Sequence, residues 1–150
     1  MGCPHMLYDN NCRVEKAAFA APFTVDAVAG ATLSSADLDS FSDGWFAGGF
    51  IEWEVSPGTW DRRPIESHAA GDLVLMVPSD GLETGMSVIA YPGCGRNTAD
   101  CDGKFRNIEN YGGCPHLPHK SPFTVGNPLT STSAFSSSPN GDQTAPTTKV

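Results

Sequence analysis

Short hydrophobic runs separated by turn residues occupy the first two-thirds of the chain. Some alternate apolar and polar positions, which is typical of strands with one buried face, and one is almost continuously apolar, as in a central strand. Ser56-Pro57-Gly58 predicts a tight turn between two of the runs. The predicted strands cover residues 23–28, 45–55, 58–67, 72–78 and 86–91, with the apolar run at 72–78.

This spacing predicts a mainly β fold, a small antiparallel barrel or sandwich with short helices. Gly48-Gly49 marks a bulge or a sharp bend within a strand. We expect a short helix at residues 14–19 and an exposed acidic loop at 34–44. The composition predicts a β-rich domain at residues 1–125 and an irregular polar tail, rich in Ser, Thr and Pro, at 126–150.

Composition and charge exclude several classes of function. The formal net charge of −8, with scattered basic residues, argues against a nucleic-acid partner. No apolar run is long enough for a membrane span, and the N-terminus lacks the pattern of a secretory signal. Synthesis in a reducing compartment, together with an odd count of five cysteines, favours metal binding over disulfides. A small secreted disulfide domain remains the alternative.

Four cysteines form two widely separated pairs, Cys3 with Cys12 and Cys94 with Cys101. We predict that they bind one metal centre and thereby tie the two ends of the domain together. The pairs enclose eight and six residues, wider than the two of a zinc knuckle. Four thiolates typically hold an iron–sulfur cluster, but this spacing leaves both zinc and iron–sulfur open. Thr98 is the predicted N-cap of a short helix at 99–105 that carries Cys101.

Further cysteine and histidine side chains lie near these pairs. Cys114 is interpreted as a small buried residue, with an extra or alternative metal ligand as the second interpretation. His5, His116 and His119 could complete a zinc site, but packing over the site is the favoured role. A Cys–His hydrolase built on Cys114 lacks an orienting third group, so we predict that the protein is not an enzyme.

Two segments resemble a known family. Residues 2–14, Gly-Cys-Pro-His-Met-Leu-Tyr-Asp-Asn-Asn-Cys-Arg-Val, and residues 92–118, which contain Lys-Phe-Arg-Asn and Asn-Tyr-Gly-Gly-Cys-Pro-His, resemble the C-terminal domain of siphophage tail-tip hub proteins. This family includes the lambda-like tail-tip L protein and the hub proteins of gene-transfer-agent particles. The resemblance covers roughly residues 2–123. Two departures are Cys114, where the family has an aromatic or apolar residue, and the missing N-terminal region. The latter predicts a separately encoded cluster domain.

The resemblance implies a structural role at the tail tip or baseplate hub of a virion made in the bacterial cytoplasm. It assigns a [4Fe-4S] cluster to Cys3, Cys12, Cys94 and Cys101 and predicts a role in tail assembly and host attachment or genome delivery. The expected partners are the distal tail protein, the hub ring and the central fibre or spike protein, in a homotrimeric assembly. A zinc-stabilised protein-interaction module is the alternative from another class.

Overall fold

The computed structural model describes residues 2–114. The chain divides into two units, Met1–Pro115 and His116–Val150, and every described residue belongs to the first. The predicted boundary between residues 125 and 126, and the predicted polar tail, lie outside the described residues. Within residues 2–114, no helix has the length and apolar character needed to cross a bilayer.

Seven strands form one antiparallel sheet, in the order β1-β7-β4-β5-β6-β3-β2. The short helices of the described part are 3-10 or π turns. The strands are β1 Ala21–Thr24, β2 Ala27–Ala29, β3 Thr32–Ser34, β4 Phe50–Ser56, β5 Thr59–Ala69, β6 Asp72–Leu75 and β7 Ser87–Tyr91. The helices are Lys16–Phe19, Ala36–Ser40, Asp100–Lys104 and Ile108–Asn110.

The connectivity requires the sheet to curl. Strands β1 and β2 are the two edges of the sheet, yet only Val25 and Asp26 separate them along the chain. The edges must therefore approach each other, and the sheet bends into a half-barrel. Val25 sits in this junction, where its N–H donates to the Met86 carbonyl (3.0 Å) and its carbonyl accepts from the Gly85 N–H (2.7 Å).

Strand β5 supplies the main bend. It is eleven residues long and pairs with β4 through its first half and with β6 through its second half. The pairing register shifts between Ile65 and Ser67, and such a bulge locally increases bending and twist. One long strand therefore serves both halves of the half-barrel.

Side chains from both halves of the sheet fill the concave interior. Alternation along each strand sends every second residue inward, so Ile51 and Trp53 of β4 are both 1% exposed or less. Phe46, which precedes β4, is also fully buried. The other fully enclosed members of this core include Leu33, Leu38, Ile65, Leu73 and Val88.

The predicted mainly β, antiparallel fold with short helices is confirmed. The short helix predicted at 14–19 is present but begins later, as the 3-10 helix Lys16–Phe19. The chain then enters β1, where Pro22 is tolerated because β1 is an edge strand. The strand predicted at 23–28 is split between β1 and β2, since the chain turns at Val25 and Asp26 to pass from one edge to the other.

Two further strand predictions need correction. The strand predicted from residue 45 begins only at Phe50, because consecutive turns hold residues 42–49, and Gly48 adopts a φ of 72°. The predicted central strand does lie between two neighbours, but β6 ends at Leu75, and Met76 and Val77 are more than half exposed. The apolar run is therefore longer than the strand it contains.

The acidic segment 34–44 is not simply an exposed loop. It contains the helix Ala36–Ser40, and its Leu38 is completely buried in the core. Ser35 caps this helix through a hydrogen bond from the Asp37 N–H. The strand β3 just before it was not predicted, because three residues are too few to produce a recognisable alternation.

Candidate metal centre

The N-terminal segment is held against the chain that follows β7 by hydrogen bonds between main-chain and side-chain groups. The Cys3 N–H donates to the Arg96 carbonyl (2.8 Å), and the Tyr8 hydroxyl donates to the Pro92 carbonyl (3.0 Å). The Asn107 side-chain amide donates to the Cys12 carbonyl. These hydrogen bonds therefore hold together the two segments that carry the cysteine pairs.

Asp9 organises the loop between Cys3 and Cys12. One of its carboxylate oxygens accepts from the Cys12 N–H (2.6 Å) and the Asn11 N–H (2.9 Å), and the other accepts from the Met6 N–H (3.1 Å). These bonds, led by the one from Cys12, lower the pKa of Asp9. Asp9 is therefore the centre of the loop that presents Cys12.

The second cysteine segment leaves β7 through a very close backbone contact. A Cβ atom added to Gly93 would lie 2.1 Å from the Ala47 carbonyl oxygen, and one added to Gly49 would lie 2.0 Å from the Tyr91 carbonyl oxygen. Only glycine permits this approach. Cys94 is thereby placed directly against the turns that precede β4.

Lys104 also holds the segment that carries Cys94 in place. Its ammonium donates to the carbonyl oxygens of Trp45 and Gly93, the latter at 2.7 Å. It also lies 4.8 Å from the centre of the Trp45 ring, a cation–π distance. Burial lowers the pKa of Lys104, while the charges of Asp100 and Cys94 act in the opposite direction.

Cys101 lies in the helix Asp100–Lys104, which is a π turn. The predicted cap Thr98 is wrong, since the Asn97 side-chain oxygen accepts from the Asp100 N–H (2.7 Å). The Asp100 carboxylate in turn accepts from the Gly95 N–H (2.6 Å) and closes the loop after Cys94.

The four predicted ligands Cys3, Cys12, Cys94 and Cys101 all line one cavity of about 300 Å³. Cys101 is buried, and the other three are partly exposed. Within residues 2–114, no three His, Cys, Asp or Glu side chains are grouped closely enough to hold a single metal ion. The thiols thus surround a space rather than meet at one point.

Burial and repulsion from neighbouring charges disfavour the ionised forms of Cys94 and Cys101. Burial raises the pKa of Cys94, as do Asp100 and the neighbouring thiols, although the hydrogen bond from the Arg96 N–H lowers it. Burial likewise raises the pKa of Cys101, and Cys94, Cys12 and Cys3 add to the effect. A thiolate set in this position needs a compensating positive charge, which a metal centre would supply.

A network of ion pairs and cation–π contacts lies beside the cavity. The Glu52 carboxylate accepts from Lys16 (2.7 Å) and from the Arg62 Nε (2.8 Å). Lys16 lies 4.4 Å from the centre of the Tyr91 ring, and Arg62 lies 4.4 Å from that of Phe50. Arg62 and Phe50 line the cavity, so this network links the thiol site to the outer face of β4 and β5.

A protein-family model matches residues 44–121, more than half of the chain. Its description is "Phage conserved hypothetical protein BR0599". The chain belongs to this family. The matched region of this BR0599-family protein contains Cys94 and Cys101, whereas Cys3 and Cys12 precede it. The prediction that this is a phage protein is thereby confirmed at the level of the family.

Among solved structures, the BR0599-family chain matches one from "Virion of native gene transfer agent (GTA) particle". The TM-score is 0.67 and the identity 23%, and the match covers 96% of this chain and 50% of that one. The chain therefore spans half the length of the chain it matches. Similarity at this identity shows a shared fold. No curated protein matches this sequence.

The remaining predicted site residues of the BR0599-family protein have different outcomes. Cys114 is exposed, so the prediction that it is buried is wrong. Burial and the charges of Cys3, Cys101 and Cys114 raise the pKa of Tyr111. His5 lines the cavity. His116 and His119 lie outside the described residues.

Asn107 is one of the site residues that the sequence did not reveal. Its side chain and main chain contact both Cys12 and Cys101. The only signal in the sequence was its place in the Lys-Phe-Arg-Asn string that carries the family resemblance. Nothing in local patterning connects it to a cysteine 95 residues away.

Proposed function

We propose that this protein is a structural component of a phage tail tip or baseplate hub, stabilised by a [4Fe-4S] cluster. Cys3, Cys12, Cys94 and Cys101 would hold the cluster. The observation that carries the proposal is that four thiols from two distant segments line one cavity. Four cysteine thiolates are the usual ligand set of such clusters.

The similarities to known proteins support the proposed role in a virion. The family is a phage family, and the fold is shared with a chain of a gene-transfer-agent virion. Because this chain spans half of that one, its partners are part of the proposal. They would be the distal tail protein, the hub ring and the central fibre or spike protein, in a homotrimeric assembly at the tail tip.

The bound cluster would act as a cross-link, supplying four iron–thiolate bonds between the two segments. Cys12 and Cys94 are 82 positions apart, and closing a loop of this length stabilises a fold by about 4.5 kcal/mol in the chain-entropy treatment of disulfides. The protein's own residues prepare the site: Asp9 shapes one segment, and Lys104 and Gly93 fix the other. The protein would work as a building block of the tail, without catalysis.

Metal analysis tests the cluster. The full-length protein, purified without air, should be brown and contain about four iron and about four sulfide ions per chain. Zinc in place of iron and sulfide would support the zinc-stabilised interaction module instead. Metal-free protein with its cysteines oxidised in pairs would contradict both.

Genetics tests the tail role. Deleting the gene should give particles with defective tails, and the wild-type gene should restore infectious particles. The Cys94→Ser gene should fail to restore them, while Cys114→Ser, the matched exposed thiol, should succeed. Antibody labelling should place the protein at the tail tip. Normal tails after deletion, or labelling confined to the capsid, would contradict the proposed location.

A further inference from the structure

Asn107 makes four contacts with the thiol-bearing segments. Its side-chain amide donates to the Cys12 carbonyl and also approaches the Cys12 sulfur (3.8 Å). Its main-chain N–H donates to the Cys101 carbonyl (2.7 Å), and its main-chain carbonyl accepts from the Cys101 thiol (3.2 Å). One partly buried residue thus contacts a cysteine from each end of the domain.

The orientation of the Asn107 amide is fixed by a neighbour. The Asn110 side-chain amide donates to the Asn107 side-chain oxygen (2.6 Å). This bond occupies the oxygen and leaves the nitrogen, with its two hydrogens, facing Cys12. The amide is therefore a prepared donor toward the carbonyl and the sulfur of Cys12.

We propose that Asn107 is a positioning residue that holds Cys12 in the thiol site and donates a hydrogen bond to its sulfur. Its side chain acts on Cys12, whereas its main-chain contacts with Cys101 persist in any side-chain variant. A hydrogen bond to a cysteine sulfur withdraws charge from it, which makes the reduction potential of a bound cluster more positive. This last consequence rests on the proposed cluster; the placement of Cys12 does not.

The first test uses the reduced, metal-free full-length chain and measures iodoacetamide alkylation of each cysteine by mass spectrometry. Asn107→Asp keeps the shape and removes both donors, and Asn107→Leu removes them without adding charge. The rates are compared at high pH, where the thiols are ionised, so that they report exposure and not the fraction of thiolate. Loss of one hydrogen bond should then speed alkylation of Cys12 by about five-fold, with Cys94 and Cys101 unchanged. Asn10→Asp, an exposed change near Cys12, is the matched control and should have no effect.

Two alkylation results would overturn the proposal. Unchanged alkylation of Cys12 in both Asn107 variants would show that the amide does not hold it. An equal acceleration at Cys94 would show that Asn107 contributes to general stability rather than to the position of Cys12. Because this comparison needs no metal, it decides the role of Asn107 even if metal analysis rejects the cluster.

The second test uses the protein purified without air. An EPR-monitored redox titration should give a more negative midpoint potential for both Asn107 variants than for wild type, at equal iron content. The Asn10→Asp protein should match wild type. Equal potentials in all four proteins would overturn the proposed bond to the Cys12 sulfur.

Discussion

Replacing Gly93 with alanine tests how the Cys94 segment is seated on the sheet. The added Cβ would lie 2.1 Å from the Ala47 carbonyl oxygen, 2.3 Å from the Gly48 carbonyl carbon and 2.5 Å from the Gly49 nitrogen. All three atoms belong to the main chain, so no side chain can rotate to relieve the contact. The segment must move away from the turns before β4 instead.

The expected cost follows from this geometry. Overpacking typically destabilises a protein by about 1–3 kcal/mol, and a clash with backbone alone belongs at the upper end of that range. The displacement would also weaken the bond from Lys104 to the Gly93 carbonyl. We therefore expect a loss of about 3 kcal/mol in the free energy of unfolding, with reduced metal content because Cys94 moves with the segment.

Equilibrium urea denaturation without air, followed by tryptophan fluorescence, measures this loss. Gly103→Ala is the matched control, because it lies in the same segment and an added Cβ would meet nothing within 4 Å. In the helix Asp100–Lys104, this second change should alter stability by less than about 1 kcal/mol. Equal stability of the two variants would refute the argument that Gly93 is required by close backbone packing.

Three further changes test other parts of the structure. Burial raises the pKa of Glu52, but hydrogen bonds and ion pairs with Lys16 and Arg62 outweigh it and leave the pKa below 4.5. The stabilisation from these ion pairs is present above pH 4.5 and is lost as the pH falls through the folded-state pKa of Glu52. Glu52→Gln should therefore lower the free energy of unfolding by about 1 kcal/mol at pH 7 and leave it unchanged in strong acid, as measured by urea denaturation at each pH. A loss that does not depend on pH would contradict this. His68 is buried without a hydrogen-bond partner for either ring nitrogen in the described part of the chain, so His68→Leu should leave the melting temperature unchanged or raise it, and a large drop would reveal a missing partner. Cys94→Ala should release the metal, measured by elemental analysis, whereas Cys114→Ala should retain it; retention by both would remove Cys94 from the site.

The fold class was predictable because the strands carry local signals. The run at 86–91 and the hairpin turn at Ser56-Pro57-Gly58 correspond closely to β7 and to the junction of β4 and β5. Errors arose where a tertiary contact overrides local pattern. Leu38 is drawn into the core from an acidic segment, and Pro22 is accommodated in an edge strand.

The candidate site shows the same division. The grouping of the four cysteines could be predicted because cysteine is rare and its spacing carries meaning. The residues that support them could not, because Asp9, Lys104 and Asn107 act through hydrogen bonds to main-chain atoms. Such hydrogen bonds depend on the path of the backbone in the folded protein, and residue type alone does not reveal that path.

We propose that four thiols from both ends of the domain bind one iron–sulfur cluster. Anomalous diffraction at the iron absorption edge, from crystals of the protein purified without air, tests it most directly. We predict one compact group of iron atoms enclosed by the sulfur atoms of Cys3, Cys12, Cys94 and Cys101. Iron bound to only one of the two pairs, or disulfides with no metal between them, would contradict it.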